Sequence, residues 1–424
     1  MQNLVEPILN RLQQHNIPGL NIGENMIFPY YEGLSLVNLP SSICSLLNIP
    51  SFGAQALDDQ IMNTLGGPYE NVIFLLADGV RFDFFQTYLD SRAWKGFQSQ
   101  AVFSPLTSIT PSTTAAALTT LWTGRNAAEH GILGYEVWLR EYGMIANMIM
   151  HSAFTFQGDV GGLQRAGFDP ATFLPVPTMG PHMQQHGIET FALQHISIAY
   201  SGLSKMLFPG VEIVSYRSNA DLFVSLEHLY EKQRGKRTYT YVYWETIDTL
   251  SHRYGHQDER NRREFELFSL GLTRVLENIR RRSKGRTLFI LTADHGHIQT
   301  PILPRYDLNR YPEINRKLVM VPTGENRLPY LFPRIGYEQE VLDLFTHHFQ
   351  QDFLPIRSQD AITKGLFGQG VHHPMLADRL GDWILSPQGN AYLWWWWQKE
   401  NPLLGRHGGL SAEEMLVPFF ATVL

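Results

Sequence analysis

Arg286-Thr287-Leu288-Phe289-Ile290-Leu291 runs directly into Thr292-Ala293-Asp294-His295-Gly296. The first six residues follow Lys284-Gly285 and are mostly apolar and partly β-branched, the pattern of a strand buried in the centre of a parallel sheet. Open α/β sheets bind ligands at the carboxyl ends of such strands, where Asp294 and His295 fall. Burying a carboxylate and an imidazole without compensation is costly, so the pair calls for a metal, a hydrogen-bonded partner or water. A polar strand end that caps a helix is the plainer alternative, and Asp-His-Gly by itself does not separate the two.

Two other segments repeat the arrangement, and a third adds a hydroxyl. Asn71-Val72-Ile73-Phe74-Leu75-Leu76-Ala77 is a second buried strand, and it ends in Asp78-Gly79-Val80-Arg81-Phe82-Asp83. Asp78 either points into the crevice or caps a helix that begins near Phe82. Thr238 to Trp244 is another strand, followed by Asp248 and His252 at i, i+4 spacing. One helical turn sets those two on one face, where they reach a single ion or simply bond to each other. Between these segments, helix formers begin at Ala115 after Thr110-Pro111-Ser112-Thr113-Thr114 and stop at Gly124. Thr113 or Thr114 therefore sits at a helix N-terminus, as a cap or as a hydroxyl nucleophile beside N–H groups that stabilise an anion.

The remaining segments place fewer groups. Residues 1–65 form an amphipathic helix and a Pro- and Gly-punctuated arm, and residues 140–235 form mixed α/β structure with strands at Ile188–Leu193 and Glu212–Val214. A long charged helix spans 259–283. Proline-rich residues 303–400 are expected to form an inserted cap carrying Trp394-Trp395-Trp396-Trp397, which pack in a core or interface or stack on a ring. Gly405-Arg406-His407-Gly408-Gly409 lets the backbone at His407 approach closely, and Ser411 with Glu414 has capping-box spacing.

Composition limits the choices. The chain has 424 residues, room for one large α/β domain with insertions, and 44% of them are hydrophobic, enough for a substantial core. A net charge of −6 without a basic stripe argues against polymeric nucleic acid and leaves a small phosphorylated substrate open. Cys44 is the only cysteine, so a metal would be held by His, Asp and Glu. No leader pattern and no membrane-length apolar run stand out, so the expectation is a cytoplasmic protein without a membrane partner; oligomeric state is not legible.

Together Asp78, Asp248, His252, Asp294, His295 and His407 make an oxygen-and-nitrogen set that suits zinc first and manganese second. They divide into two triads, as two ions about 3.5–4 Å apart require.

In this order the motifs resemble the alkaline phosphatase superfamily, most closely the type I phosphodiesterase/nucleotide pyrophosphatase family. The resemblance rests on Asp78-Gly79-x-Arg81-x-Asp83, a Thr nine residues before Thr123-Gly124, Glu129-His130-Gly131-Ile132, Asp248-x-x-x-His252 with Gly255-His256, Asp294-His295-Gly296 and His407-Gly408. It implies a three-layer α/β fold, with a mostly parallel central sheet, helices on both faces and an inserted cap. The catalytic domain would comprise 66–302 and 401–424, with the arm at 1–65 and the cap at 303–400.

It also implies one zinc on Asp248, His252 and His407, and another on Asp78, Asp294 and His295. Thr114 would contact both ions and form a phospho-threonine intermediate, with Thr113 as the alternative nucleophile. The implied substrate is a nucleotide-like phosphodiester or pyrophosphate. The family commonly carries Asn three residues after its nucleophile, and Ala117 stands there instead, which leaves monoester hydrolysis open. His297, Tyr135 and Asn147 are candidate substrate contacts or ordinary structural hydrogen bonds. A sulfatase would need Cys-x-Pro-x-Arg or its serine equivalent, and Cys44 lies in no such pattern. A phosphoglycerate mutase would offer Ser and different flanks. A non-catalytic phosphatase-like binding module is the other reading, which a missing ligand would have favoured.

Overall fold

The structure, a computed structural model, describes residues 2–156, 158–397 and 400–424; Gln398 and Lys399 of the expected cap lie outside the described residues. Its centre is an eight-stranded sheet. Across it the order is Gln2–Asn3, Ala101–Thr107, Leu416–Val423, Thr287–Thr292, Asn71–Ala77, Thr238–Trp244, Glu189–His195 and Glu212–Tyr216. Among the described residues only Leu416–Val423 runs against its neighbours. Every residue of Thr287–Thr292, Thr238–Trp244 and Ala101–Thr107 is buried, as is all of Asn71–Ala77 except Asn71. Burial without alternation means both faces of the sheet are covered, which is why none of these strands carries a charged residue.

This topology delivers the polar groups to one edge. Thr292 pairs with Leu76, and Ala77 pairs with Trp244, all in parallel register. The carboxyl ends of three adjacent strands, leading to Asp78, Asp248 and Asp294, therefore lie side by side. Ala101–Thr107 runs in the same direction, because two antiparallel pairings separate it from Thr287–Thr292. Its carboxyl end leads to Thr113 and Thr114 at the same edge.

The amino-terminal segment packs on the same core. Gln2–Asn3 pairs with Val102 and Phe103, and the helix Val5–Gln14 buries Ile8 and Leu12. Each such side chain contributes about 1.5–3 kcal/mol of burial. A second, seven-stranded sheet orders Phe353–Arg357, Trp383–Pro387, Leu328–Leu331, Thr323–Glu325, Glu136–Leu139, Met144–Asn147 and Ser152–Ala153. The expected cap at 303–400 thus shares its sheet with three strands from 136–153. No apolar periodicity in either stretch signals so distant a pairing. Among the described residues no helix is long and apolar enough to cross a membrane.

Candidate metal centre

Asp78 does not cap the helix Phe82–Gln86, whose N-cap is Arg81. Its Oδ2 accepts the Tyr243 hydroxyl, while its Oδ1 is buried with no hydrogen-bond partner among the described residues. Asp294 is arranged the same way. Its Oδ1 accepts the amides of His295 at 3.1 Å and Gly79 at 3.2 Å, and its buried Oδ2 has no partner. The two free oxygens face one imidazole nitrogen: His295 Nε2 lies 3.5 Å from Asp78 Oδ1 and 3.4 Å from Asp294 Oδ2. His295 Nδ1 bonds to the Gly296 carbonyl at 3.0 Å, which turns Nε2 toward the carboxylates.

Those separations carry chemical information. A tetrahedral ion with bonds of about 2.0–2.1 Å holds its ligand atoms roughly 3.3 Å apart. Two orphaned carboxylate oxygens and an imidazole nitrogen at 3.4–3.5 Å therefore fit one cation's shell. The electrostatics agree. Burial, then the charges of Asp294 and Asp248, push the Asp78 carboxyl well above the ordinary carboxylate range. A cation would remove that repulsion.

A second group adjoins the first. Asp248 and His252 occupy one turn of the helix Thr246–Tyr254, with Asp248 Oδ1 and His252 Nε2 3.4 Å apart. His407 Nε2 lies 3.8 Å from the same oxygen. Backbone carbonyls orient both rings: His252 Nδ1 bonds to Gly405 O at 2.9 Å and His407 Nδ1 to Ser112 O at 3.1 Å. Burial raises the Asp248 carboxyl, but His252, His297 and His407 together hold it well below its usual range. Burial, then His295 and His252, push the His407 imidazole well down.

His297 completes the cluster. Ligand atoms of Asp248, His295, His297 and His407 all lie within 4.8 Å of one another, as do those of Asp78, Asp294 and His295. His252 stands outside the first of these groups. The 2.7 Å separation between His297 Nε2 and Asp248 Oδ1, however, is that of a hydrogen bond, shorter than the edge of a ligand shell. Proximity alone thus favours His297 as a ligand, whereas the contact distances favour His252, with His297 bracing the carboxylate. Burial also lowers the His297 imidazole to about 3, against the pull of Asp248.

Thr114 opens the fully buried helix Thr114–Thr123, which ends at Gly124 in the left-handed region at φ 62°. Its Oγ1 is 3.1 Å from His295 Nε2. Thr113 holds the N-cap position without a side-chain cap bond, and its hydroxyl meets Glu325 instead. Ala117 is buried in the same helix.

Tyr135 lines the cavity next to Thr114, and its amide donates to Glu325 Oε1 at 2.6 Å. Asn147 bonds with the Tyr135 side chain, and its Oδ1 accepts the amides of Ile149 and Met150. Glu325, unforeseen from sequence, lines the cavity too, and burial raises its carboxyl to about 7. Trp394 and Trp396 face the cavity, Trp395 packs in the core of the second sheet, and Trp397 is exposed. Ser411 and Glu414 form the expected capping box. His256, beside Gly255 in the sequence motif, lines a different surface pocket.

A phosphoryl-transfer centre is the class this fold and these groups define, with paired carboxylate–imidazole clusters beside a helix-borne hydroxyl at the carboxyl edge of a parallel sheet. Residues 72–410 match the family model for type I phosphodiesterase/nucleotide pyrophosphatase, and the chain belongs to that family. It is accordingly a hydrolase acting on phosphoester bonds, in a metal-dependent family. No curated protein matches the sequence. Among solved structures it is similar to murine ectonucleotide pyrophosphatase/phosphodiesterase 5, with 17% identity, TM-score 0.63, and coverage of 83% of this chain and 87% of that one. It is also similar to phosphonoacetate hydrolase from Sinorhizobium meliloti 1021, with 18% identity, TM-score 0.59, and coverage of 82% and 89%. These likenesses bear out the alkaline-phosphatase-like fold.

Proposed function

We propose that this chain hydrolyses phosphodiester or pyrophosphate bonds of a small molecule through a phospho-threonine intermediate on Thr114. The observation that carries the proposal is the contact between Thr114 Oγ1 and His295 Nε2 at 3.1 Å, beside two orphaned carboxylate oxygens at shell spacing. We assign one zinc to Asp78, Asp294 and His295, and a second to Asp248, His252 and His407. The donor set supports zinc first, because three of its six groups are imidazoles, and manganese second, because the other three are carboxylates. When bound, the two ions lower the pKa of the nucleophilic hydroxyl and neutralise charge on the phosphoryl and departing oxygens.

The chain's own groups do the rest. Thr114 gives up its hydroxyl proton to solvent as its Oγ forms a bond to phosphorus, the opposite P–O bond breaks, and the departing alcohol or phosphate leaves with the electron pair and takes up a proton from water. Amide N–H groups of the first helical turn lie beside the oxygens of the transferred group. His297 holds Asp248 in place, and Gly405 O and Ser112 O fix the rings of His252 and His407. Water then attacks phosphorus and loses a proton, the Thr114 Oγ–P bond breaks, and the threonine oxygen takes up a proton to restore the hydroxyl.

A murine relative is solved as an inactive variant in complex with AMP, which supports a nucleotide-sized ligand. Ala117 supports the second reading, a phosphomonoesterase, since it offers no side-chain amide to the phosphoryl group of a diester. The test is Thr114→Ala in zinc-loaded protein with bis(4-nitrophenyl) phosphate. Turnover should fall by at least a thousandfold with zinc content unchanged, while equal turnover rejects Thr114 as nucleophile.

A further inference from the structure

The cavity that holds Thr114, Asp248, His252 and His407 has a volume of about 500 Å³. One side of its wall is apolar and is made by Leu118, Ile149, Met150, Leu203, Leu207 and Phe208. The wall is held from behind. Phe208 packs edge-on against Trp122 with ring centroids 4.7 Å apart. The Asn147 side chain fixes the backbone of Ile149 and Met150, accepting both amides at 2.9 Å.

Ser201, Ser204 and Gln194 on the same side are engaged with each other, while Tyr135, Glu245, Thr249, Glu325 and Asn326 line other parts of the cavity. The Ser204 hydroxyl lies 2.9 Å from Gln194 Oε1 and 2.8 Å from the Ile198 carbonyl, and the Ser201 hydroxyl donates to Ser204 at 3.2 Å. Arg406 is the one Lys or Arg among the described lining residues. Its Nη1 donates to Thr300 at 2.5 Å and to the Leu403 carbonyl at 2.9 Å, its Nη2 donates to Asn401, and the guanidinium lies over the Tyr392 ring at 3.7 Å, which leaves only its buried Nε without a partner among the described residues. A second phosphoryl group of a pyrophosphate is normally met by free cationic or N–H donors, and a base edge by free polar side chains. The side formed by Leu118, Ile149, Met150, Leu203, Leu207 and Phe208 instead presents methyl, methylene and phenyl surface. Each methylene withdrawn from water against such a surface is worth about a fourfold gain in affinity.

We propose that the cavity receives the apolar alcohol of a phosphate ester, an alkyl chain or aromatic ring, in place of a nucleoside. The proposal rests on the hydrolase reading for the position of the phosphoryl group, and it names the substrate class of the same site. Trp394 and Trp396, with ring centroids 5.5 Å apart, form an aromatic part of the lining, which an apolar group also fits.

The test is calorimetric titration of zinc-loaded Thr114→Ala protein with methyl-, butyl-, octyl- and phenylphosphonate and with AMP. Affinity should rise about two- to fourfold per methylene along the alkyl series. Octylphosphonate or phenylphosphonate should bind at least tenfold more tightly than AMP, and whichever is tighter identifies the alkyl or aromatic source. AMP binding more tightly than both, or octylphosphonate binding no better than methylphosphonate, overturns the proposal. Met150→Arg, made at a half-buried wall position, should reduce the octyl-to-methyl affinity ratio at least tenfold; an unchanged ratio also overturns it. Turnover of bis(4-nitrophenyl) phosphate by the wild type is read separately, so failure of the hydrolase reading stays distinct from failure of this one.

Discussion

Arg327 and Glu414 form an ion pair with both side chains fully buried, and breaking it should loosen His407 without touching any candidate ligand. Arg327 Nε and Nη2 donate to the two carboxylate oxygens at 3.0 and 2.8 Å. Nη1 donates to the carbonyls of Gly389 and Ala391. Glu414 in turn accepts the amides of Gly409 at 2.9 Å and Ser411 at 3.4 Å, just past His407. Burial pushes the Glu414 carboxyl up, yet Arg327 holds it below its usual range.

Arg327→Met removes one charge and leaves the other buried, which costs about 3–5 kcal/mol. Urea unfolding of metal-free protein, followed by tryptophan fluorescence, measures that loss. A supporting group of this kind typically changes metal affinity about ten- to a hundredfold, which zinc titration reads. The double variant Arg327→Met, Glu414→Met should recover most of the stability, because apolar replacement of a whole buried pair is often neutral. A loss under about 1 kcal/mol in the single variant would refute the claim that this pair anchors the His407 loop.

Further predictions concern stability and metal. His130 Nδ1 accepts the Ile132 amide at 3.0 Å and its Nε2 meets Thr120 Oγ1 at 3.0 Å, so the buried ring is neutral. Burial, then His373 and Arg379, lower its pKa to about 3, so its stability contribution is complete above the unfolded value near 6.5 and is lost as pH falls toward 3. Between pH 7 and 5 the metal-free wild type should lose about 2 kcal/mol from this residue, and His130→Asn, compared by urea midpoints, should lack that share. Removing zinc with a chelator leaves Asp78 and Asp294 facing each other, so the melting temperature should fall and recover on adding zinc. At a hundredfold excess over Kd each site is worth about 2.7 kcal/mol, and a melting temperature indifferent to zinc would count against both sites. His297→Ala should weaken zinc binding through Asp248 more than it changes global stability, as measured by zinc titration beside urea unfolding.

Much of the centre was legible because the strands are buried on both faces. Asn71–Ala77, Thr238–Trp244 and Thr287–Thr292 announce themselves as apolar runs, and the first polar residues beyond them lie at the ligand edge. His407 needed its glycine neighbours and the family order, since the short strand before it, Gly405–Arg406, carries no periodic signal. The bracing role of His297 was not legible, because it depends on contact with a residue 49 positions away. Its one local signal is the alternation of His295 and His297, which sends two side chains the same way in extended backbone. Glu325 gave no signal: it enters from Thr323–Glu325 of the second sheet, and its significance lies in the contact with Thr113. The apolar wall was hidden for a related reason, because Met150, Leu203 and Phe208 come from short elements and connections.

Anomalous scattering at the zinc edge from crystals of the zinc-loaded protein bears most directly on convergence of these ligands. The expected result is two peaks roughly 3.5–4 Å apart, one among Asp78, Asp294 and His295 and the other among Asp248, His252 and His407. Ligand distances should fall at about 2.0–2.2 Å. Zinc-loaded crystals with no peak at these side chains, or with peaks that leave Asp294 or Asp248 uncoordinated, would contradict the account.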